Sequence, residues 1–348
     1  MKIRGVGRLR RAARWVRNKF TPDALILLYH RVSELPSDPQ LLSVRPQYFA
    51  EHLEVLQKTC HPMPLQQFVR VTRNGNLPRR TVVVTFDDGY ADNLHNAKSL
   101  LEYHEIPATV FVTTGYVGHK RELWWDELDR LLLQPGTVPE TLHLSVNGRK
   151  YKWALGKASH YSKEDFERHR GWNVLTKNDP SPRQELYRSL CRLLQPLPGE
   201  ERSKVLDELI TRTGVDTMVR STHRTLSLNE LVEMANGRLV EVGAHTVTHS
   251  LLSALPTAVQ RSEIQSSKVR LEEILSRPVT SFSYPYGSWS DYTRQTVAIT
   301  RDAGFDCACS NYADTVWQGT DPFQLPRVVV RDWDGETFTQ WLEGWFRG

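Results

Sequence analysis

TVVVTFDDGY, residues 81–90, is the most informative segment of this chain for predicting its fold. Its first six residues are apolar or β-branched, which predicts a buried strand. Asp87 and Asp88 follow at once, so both carboxylates are expected at the carboxyl end of that strand, where parallel α/β folds place their working groups. An Asp-Asp-Gly sequence taken alone is more often a turn with a helix cap, so its meaning depends on the rest of the chain.

Short apolar runs alternate with amphipathic helices on both sides of this stretch. Phe49, Leu53 and Leu56 mark one helix face, and Leu94, Ala97 and Leu101 mark a second. A third is suggested by Ile264, Val269, Leu271 and Leu275. The repeated β-α order is typical of the α/β class, with a parallel sheet or a barrel. The predicted strands are residues 25–29, 81–86, 108–113, 239–244, 279–284, 306–310 and 325–330.

The alternation breaks between about residues 118 and 224. An Asn147-Gly148 pair between two apolar runs predicts a β-hairpin, and polar helices are expected around 184–194 and 201–213. We interpret the segment as a helical insertion on one loop of the domain. The predicted organisation is a basic segment at 1–22 and one barrel domain at 23–348 that carries the insertion.

Composition and charge narrow the classes of protein to which this chain can belong. The chain has 348 residues, 39% hydrophobic and 24% charged, which is typical of a folded domain and excludes a disordered chain. Its net charge of +5 arises in the first twenty residues, which hold eight basic and no acidic side chains, leaving 37 basic and 40 acidic residues elsewhere. This distribution argues against a nucleic-acid-binding core. The four cysteines match neither a disulfide framework nor a zinc finger, so a reducing compartment is the simpler expectation.

The basic first segment also has an apolar rhythm. Ile3, Val6, Leu9, Ala13 and Val16 recur at helical spacing between arginines, as in a helix lying on an anionic membrane. A solvated, frayed terminus is an equal alternative. Because the segment lacks the apolar run of a secretory signal and no run is long enough to span a bilayer, we expect the cytoplasm, with peripheral contact at the membrane face.

Two histidines follow a second predicted strand. His245 and His249 would share one face if this segment entered a helix, and both imidazoles would then reach one metal ion. A zinc ion that activates water needs three protein ligands and an open position, so Asp88 would complete the set. The alternative for such a pair is a partly buried surface pair without a ligand.

A third segment, SFSYPYG at residues 281–287, ends another predicted strand. Pro285 and Gly287 force a turn whose free backbone N–H groups could face a developing oxyanion. The signal is weak by itself.

Together, TFDDG, HTVTH and SFSYPYG resemble the polysaccharide deacetylase family, the NodB-homology domain of carbohydrate esterase family 4. The resemblance implies a distorted (β/α) barrel of about seven strands that removes acetyl groups from sugars with a divalent metal, most simply Zn²⁺. It implies Asp87 as the general base and the backbone N–H of Tyr286 as an oxyanion donor. It further implies Asp88, His245 and His249 as the metal ligands.

The chain departs from the family pattern at two positions. Phe282 stands where the family commonly has an arginine, and Arg327 stands where it has a late catalytic histidine. Tyr29-His30, before TFDDG, resembles the permuted branch typified by poly-N-acetylglucosamine deacetylases, so we assign the catalytic acid to His30. We expect a nearby carboxylate to raise its pKa. The alternative is a hydrogen-bonded structural histidine.

Further residues are predicted to orient a catalytic partner or to contact substrate. Arg327 or Asp332 would orient a catalytic partner, although a surface ion pair explains either equally well. The ten tryptophans are about twice the usual number, and sugar rings stack on aromatic planes. Trp124 and Trp289 also lie near predicted rim loops. The remaining predicted contacts are Tyr90, Trp125, Pro285 and Trp333.

The resulting prediction is a metal-dependent N-deacetylase acting on an amino sugar in a surface glycan or its lipid-linked precursor. Two alternatives stay open at this point. The same site could hydrolyse another C–N bond, in a formyl-sugar or a non-sugar amide. The chain could also be a glycan-binding barrel that lost catalysis, which the two departures favour.

Overall fold

The computed structural model describes residues 24–118, 121–215 and 218–347. The basic segment at 1–22 lies outside the described residues, so its contact with a membrane stays a prediction. Within the described part of the chain, no helix has both the length and the apolar character needed to cross a bilayer.

A curled parallel sheet forms the centre of the molecule. The strands of the described residues are β1 (Ala24–Tyr29), β2 (Arg31–Val32), β3 (Ser43–Val44), β4 (His61–Pro62), β5 (Thr81–Phe86), β6 (Ala108–Val112), β7 (Gly136–Thr137), β8 (Thr141–Val146), β9 (Arg149–Ala154), β10 (His160–Tyr161), β11 (Val240–Ala244), β12 (Ser281–Ser283), β13 (Cys307–Cys309) and β14 (Val328–Val329). The strands of the central sheet run in the order β13-β12-β11-β6-β5-β1-β14, and short β4 also pairs with β5.

The central strands β1, β5 and β6 are buried along their whole length. This is expected of parallel strands that are covered on both faces. The last part of the chain joins the two edges of the sheet, because Leu325 exchanges backbone hydrogen bonds with Ala308 and Ser310, and Val328 pairs with Leu27 of β1. The sheet therefore curls into a half-barrel, and the predicted barrel of about seven strands is confirmed.

Helices cover the outer face of the sheet. Phe49, Leu53 and Leu56 are fully buried, as their spacing predicts. Val269 is 52% exposed, so its assignment to a buried face was wrong; Ile264 and Leu271 form that face, and Val269 points away from it. The α-helices are α1 (Pro46–Thr59), α2 (Leu65–Asn74), α3 (Ser99–Tyr103), α4 (Trp124–Leu132), α5 (Lys163–His169), α6 (Pro182–Leu194), α7 (Gly199–Thr213), α8 (Leu228–Ala235), α9 (Thr257–Leu275), α10 (Arg294–Asp302) and α11 (Gly335–Phe346).

The segment between β6 and α8 builds a second hydrophobic core beside the barrel. The hairpin of β8 and β9 turns at Asn147 and Gly148, both with positive φ, as the sequence predicts. Leu128, Leu190 and Leu206, from α4, α6 and α7, are buried in this core, and Tyr90 of the barrel joins them. The insertion thus packs directly behind the TFDDGY segment, while its exact bounds stay a prediction.

Candidate active site and metal centre

Strand register brings the three sequence motifs to one edge of the sheet. Tyr29 pairs with Phe86, so His30 and Asp87 leave neighbouring strands side by side. Ala244 pairs with Val112 on one side and with Phe282 on the other, which places the histidine segment and the proline turn at the same edge. This is the carboxyl end of the strands, where the sequence predicts the working groups.

Asp88, His245 and His249 converge at this edge. Their potential ligand atoms all lie within 4.8 Å of one another. Oδ1 of Asp88 lies 3.6 Å from Nε2 of His245 and 3.3 Å from Nε2 of His249. All three side chains are buried, and Oδ1 of Asp88 has no hydrogen-bond partner within the described residues.

The donor set fits a divalent cation. Nδ1 of His245 lies 2.8 Å from the carbonyl oxygen of Ser283, which can only accept, so Nδ1 carries the proton and Nε2 is free to coordinate. Burial, and after it the charge of Arg202, lower the pKa of His249 to about 3, so this imidazole is neutral as a metal ligand must be. Two imidazoles and one carboxylate suit zinc, and they also suit iron.

The two histidines do not lie on a helix, which corrects the sequence-based expectation. They lie on an irregular loop after β11, and Thr246 and His249 have positive φ values of 63° and 53°. Glu263 of α9 holds this loop, because one of its carboxylate oxygens accepts hydrogen bonds from the backbone N–H groups of Val247 and Thr248, both at 2.9 Å. The two imidazoles do lie together as the sequence predicts, but the loop conformation brings them together, and helical spacing does not.

The insertion supports the same histidine loop from the other side. Arg202 of α7 is buried and donates a hydrogen bond to the carbonyl oxygen of Thr248. A Cβ atom on Gly199 would approach within 2.5 Å of the Thr248 side chain, so the start of α7 packs directly against the loop. Because neither Glu263 nor Arg202 lies within a recognisable sequence motif, the sequence did not reveal the role of either residue.

The turn in TFDDG depends on its glycine. Asp88 and Gly89 both have positive φ, at 76° and 79°. A Cβ atom on Gly89 would also lie 3.1 Å from the side chain of Val112. Left-handed backbone is costly for a residue such as Asp88 and is typical of functional sites.

Arg327 forms a two-point ion pair with Asp87. Its two terminal nitrogens lie 2.7 and 2.6 Å from the two carboxylate oxygens, and the hydroxyl of Ser283 donates to the same carboxylate at 3.2 Å. Burial alone would raise the pKa of Asp87, but the neighbouring groups, with Arg327 foremost, outweigh burial and hold that pKa well below its ordinary value. Asp87 is therefore ionised, as a general base must be.

The expected orienting role of Arg327 thus has a structural basis, and that of Asp332 does not. Asp332 lies at the surface, where its carboxylate accepts hydrogen bonds from the side chain and the backbone N–H of Arg45. This is the plain ion pair that the sequence offered as its alternative. Trp333 packs against Trp341 of α11 rather than near the three motifs.

His30 and Tyr286 face the same cavity as the metal triad. Burial lowers the pKa of His30 more than Asp88 and Asp87 raise it, so the expected rise in its pKa was wrong. Tyr286 has a positive φ of 61°, and its backbone N–H donates no hydrogen bond within the described residues. An unpaired N–H beside the triad is suited to an oxyanion.

The cavity has a volume of about 300 Å³ and is shared between the barrel and the insertion. Trp125 lines it and packs its ring against that of His249, with 4.7 Å between centroids. Tyr90 stands behind Trp125, accepting from its indole nitrogen at 2.9 Å and donating to Asp126 at 2.7 Å. Pro285 only shapes the turn before Gly287, which donates to its carbonyl oxygen. The sequence did not predict seven further lining residues, which are Gln40, Leu42, Cys191, Gln195, Asn311, Val329 and Arg331.

A curled parallel sheet with a carboxylate and two histidines at its carboxyl edge defines a barrel protein with a candidate metal centre. The family model for polysaccharide deacetylases matches residues 74–138 and 209–308, which include the TFDDG, histidine and proline segments. The two matched segments, 165 of the 348 residues, thus carry the sequence pattern of the polysaccharide deacetylase family. The unmatched residues 139–208 lie within the predicted insertion.

Named relatives agree with this assignment. YxkH of Bacillus subtilis, whose name places it in the same family, is 28% identical over 139 residues, covering 38% of this chain and 48% of the relative. A poly-β-1,6-N-acetyl-D-glucosamine N-deacetylase of Staphylococcus aureus is 36% identical over 58 residues, covering 17% of this chain and 20% of the relative. The alignments thus span less than half of each relative.

Solved structures show the same fold over nearly the whole chain. IcaB from Ammonifex degensii has a TM-score of 0.57 at 18% identity and covers 94% of this chain and 98% of its own. The Streptococcus pyogenes deacetylase PplD, in complex with acetate, has a TM-score of 0.56 at 17% identity and covers 92% and 98%. At this identity the likeness concerns the fold alone.

Proposed function

We propose that this protein is a metal-dependent deacetylase that hydrolyses the N-acetyl group of an amino sugar within a glycan. The observation that carries the proposal is the convergence of Asp88, His245 and His249 beside the ionised Asp87 at the floor of one cavity. The staphylococcal relative is named for this reaction on poly-β-1,6-N-acetylglucosamine, and we take that polymer as the first substrate to test.

Asp88, His245 and His249 would hold the cation. When bound, a divalent ion supplies charge that polarises the acetyl carbonyl and lowers the pKa of water. The carboxylate of Asp87 accepts the proton of the attacking water, since Arg327 keeps it ionised and fixes its two oxygens. These two contacts hold the Asp87 carboxylate in the orientation in which it accepts the proton.

The acetyl oxygen gains negative charge as water adds to the carbonyl carbon. The backbone N–H of Tyr286 donates a hydrogen bond to that oxygen, and a well-placed donor of this kind contributes about 3 to 4 kcal/mol. His30, in its imidazolium form, then gives a proton to the departing nitrogen, because an amine leaves poorly unless it is protonated. Burial lowers the pKa of His30, which makes that imidazolium a stronger acid. His30 and Asp87 leave adjacent strands, which suits groups that act on the same bond.

The sequence left open a glycan-binding barrel that has lost catalysis. Two departures favoured that alternative, namely the missing family arginine and the missing late histidine. In this chain Arg327 supplies a guanidinium to Asp87 from the segment before β14, and His30 supplies an imidazole from the end of β1. Both departures from the family pattern thus have a substitute at the site. These substitutes argue that the protein has kept its catalytic activity.

The test is acetate release from a β-1,6-linked N-acetylglucosamine pentamer by chelator-treated protein, with and without added Zn²⁺. We expect turnover only with the metal. His30→Ala should lower amide turnover by about 10²- to 10⁴-fold while the protein keeps its zinc. The same variant should retain hydrolysis of p-nitrophenyl acetate, because p-nitrophenolate leaves without a proton.

His160→Ala is the matched control, since His160 is an exposed histidine of the insertion. Equal acetate release with and without chelator would disprove the metal requirement. A His30→Ala variant as fast as the unmodified protein on the pentamer would disprove the acid assignment.

A further inference from the structure

Two stacked aromatic rings lie at the surface beside the cavity. The ring centroids of Trp289 and Tyr312 are 3.9 Å apart and the ring planes are tilted by 21°. Trp289 is 57% exposed. The phenol of Tyr312 is fixed by a hydrogen bond of 2.7 Å to the carbonyl oxygen of Gln324. A large aromatic side chain is therefore kept in one orientation while much of its surface faces solvent.

The loops that carry these rings also form the cavity wall. Trp289 follows Tyr286 and Gly287, and Tyr312 follows Asn311; both Tyr286 and Asn311 line the cavity. The backbone N–H of Asn311 donates to the carbonyl oxygen of Gly287 at 2.7 Å, which ties the two loops together. A Cβ atom on Gly287 would lie 2.7 Å from that nitrogen, so this close approach requires the glycine.

We propose that Trp289, backed by Tyr312, binds the pyranose ring that adjoins the reacting N-acetylated sugar in the same glycan chain. The apolar C–H face of a sugar suits an aromatic plane, and a ring that is already fixed loses little conformational freedom on binding. A chain whose reacting unit occupies the cavity would pass over Asn311 onto this pair. The inference rests on the proposed deacetylase function and adds a second subsite to it.

The test compares a long and a short substrate. The β-1,6-linked N-acetylglucosamine pentamer extends beyond the cavity, whereas p-nitrophenyl acetate reports only on the reacting centre. Trp289→Ala should raise KM for the pentamer about five- to tenfold with little change in kcat. It should change the rate on the small ester less than twofold, and Trp289→Phe should restore most of the affinity for the pentamer.

Trp317→Ala is the matched control. Trp317 is 38% exposed, and it follows Val316, which pairs with Ala24 at the start of β1, at the opposite end of the strands. An equal loss on both substrates in Trp289→Ala, or no loss on either, would overturn the subsite.

Binding of the pentamer to chelator-treated protein, followed by titration calorimetry, separates the subsite from the proposed function. If the unmodified protein binds the pentamer in this form but releases no acetate after Zn²⁺ is added back, the deacetylase proposal fails, and weaker binding by Trp289→Ala still supports the subsite. If the unmodified protein does not bind the pentamer, the subsite fails.

Discussion

At the scale of single residues, the pairing of Asp87 with Arg327 sets the chemistry of the site. The two parallel hydrogen bonds use the planar geometry of a guanidinium, which a lysine ammonium cannot reproduce. Sequence order gave no reason to join these residues, since Asp87 follows β5 and Arg327 precedes β14, about 240 positions later. The curl of the sheet brings the two residues together. From the sequence alone, Arg327 could only be suggested as a residue that orients some catalytic partner.

Arg327→Lys tests that pairing. The substitution keeps the positive charge but loses the two-point contact, so we expect the pKa of Asp87 to rise toward its ordinary value. Because activity requires ionised Asp87, the acid side of the pH–rate profile should move to higher pH. At neutral pH Asp87 stays ionised, and kcat/KM should fall about tenfold or more because the carboxylate loses its fixed orientation.

Arg301→Lys is the control for this experiment, since Arg301 pairs with Asp321 at the surface. An acid limb that stays in place in Arg327→Lys, measured on the pentamer, would mean that Arg327 does not control the ionisation of Asp87.

At the scale of elements, the histidine loop between β11 and α9 holds two metal ligands without regular structure. Glu263 accepts from two consecutive backbone N–H groups between His245 and His249, and its second oxygen accepts from the hydroxyl of Thr248 at 2.7 Å. A helix further along the chain thus fixes the conformation of the loop. Outer contacts of this kind commonly tune metal affinity.

Glu263→Gln should weaken zinc binding about tenfold or more, because an amide cannot accept at both positions. Zinc affinity is measured by competition with a chromophoric chelator, and activity at saturating zinc should recover much of its unmodified value. Glu273→Gln, on the exposed face of the same helix, is the control. Equal zinc affinity in both variants would show that Glu263 does not position the loop.

The strands were predictable and the histidine loop was not, for a physical reason. Strands such as β5 are buried on both faces, and an apolar run records that burial directly in the sequence. The conformation of the loop depends on Glu263 and Arg202, which lie far from it in the chain. Spacing alone predicted a helix there, and the tertiary contacts decided otherwise.

At the scale of the whole molecule, His52 couples the first strand to the end of the chain. It is fully buried, with Nε2 at 2.7 Å from the carbonyl oxygen of Trp333 and its ring stacked on Phe338 at 4.1 Å. Tyr29 of β1 lies within hydrogen-bond distance on its other side. Burial lowers the pKa of His52 to about 4.

This burial makes stability depend on pH. Between about pH 6.5 and 4 the unfolded chain binds a proton at His52 and the folded chain does not, so the free energy of unfolding falls as pH falls through that window. The loss amounts to about 3 kcal/mol. We expect urea unfolding of His52→Gln to depend less steeply on pH across this range than that of the unmodified protein, and parallel curves would contradict this.

The barrel and the insertion share one cavity, and everything proposed for that cavity depends on the metal centre at its floor. The most direct test is the zinc content of protein dialysed against Zn²⁺ and then against buffer, measured by elemental analysis. We predict one zinc ion per chain in the unmodified protein and in His160→Ala, and less than a tenth of that in His245→Ala and Asp88→Asn when both variants are folded. One zinc ion per chain retained in folded His245→Ala and Asp88→Asn would contradict the account.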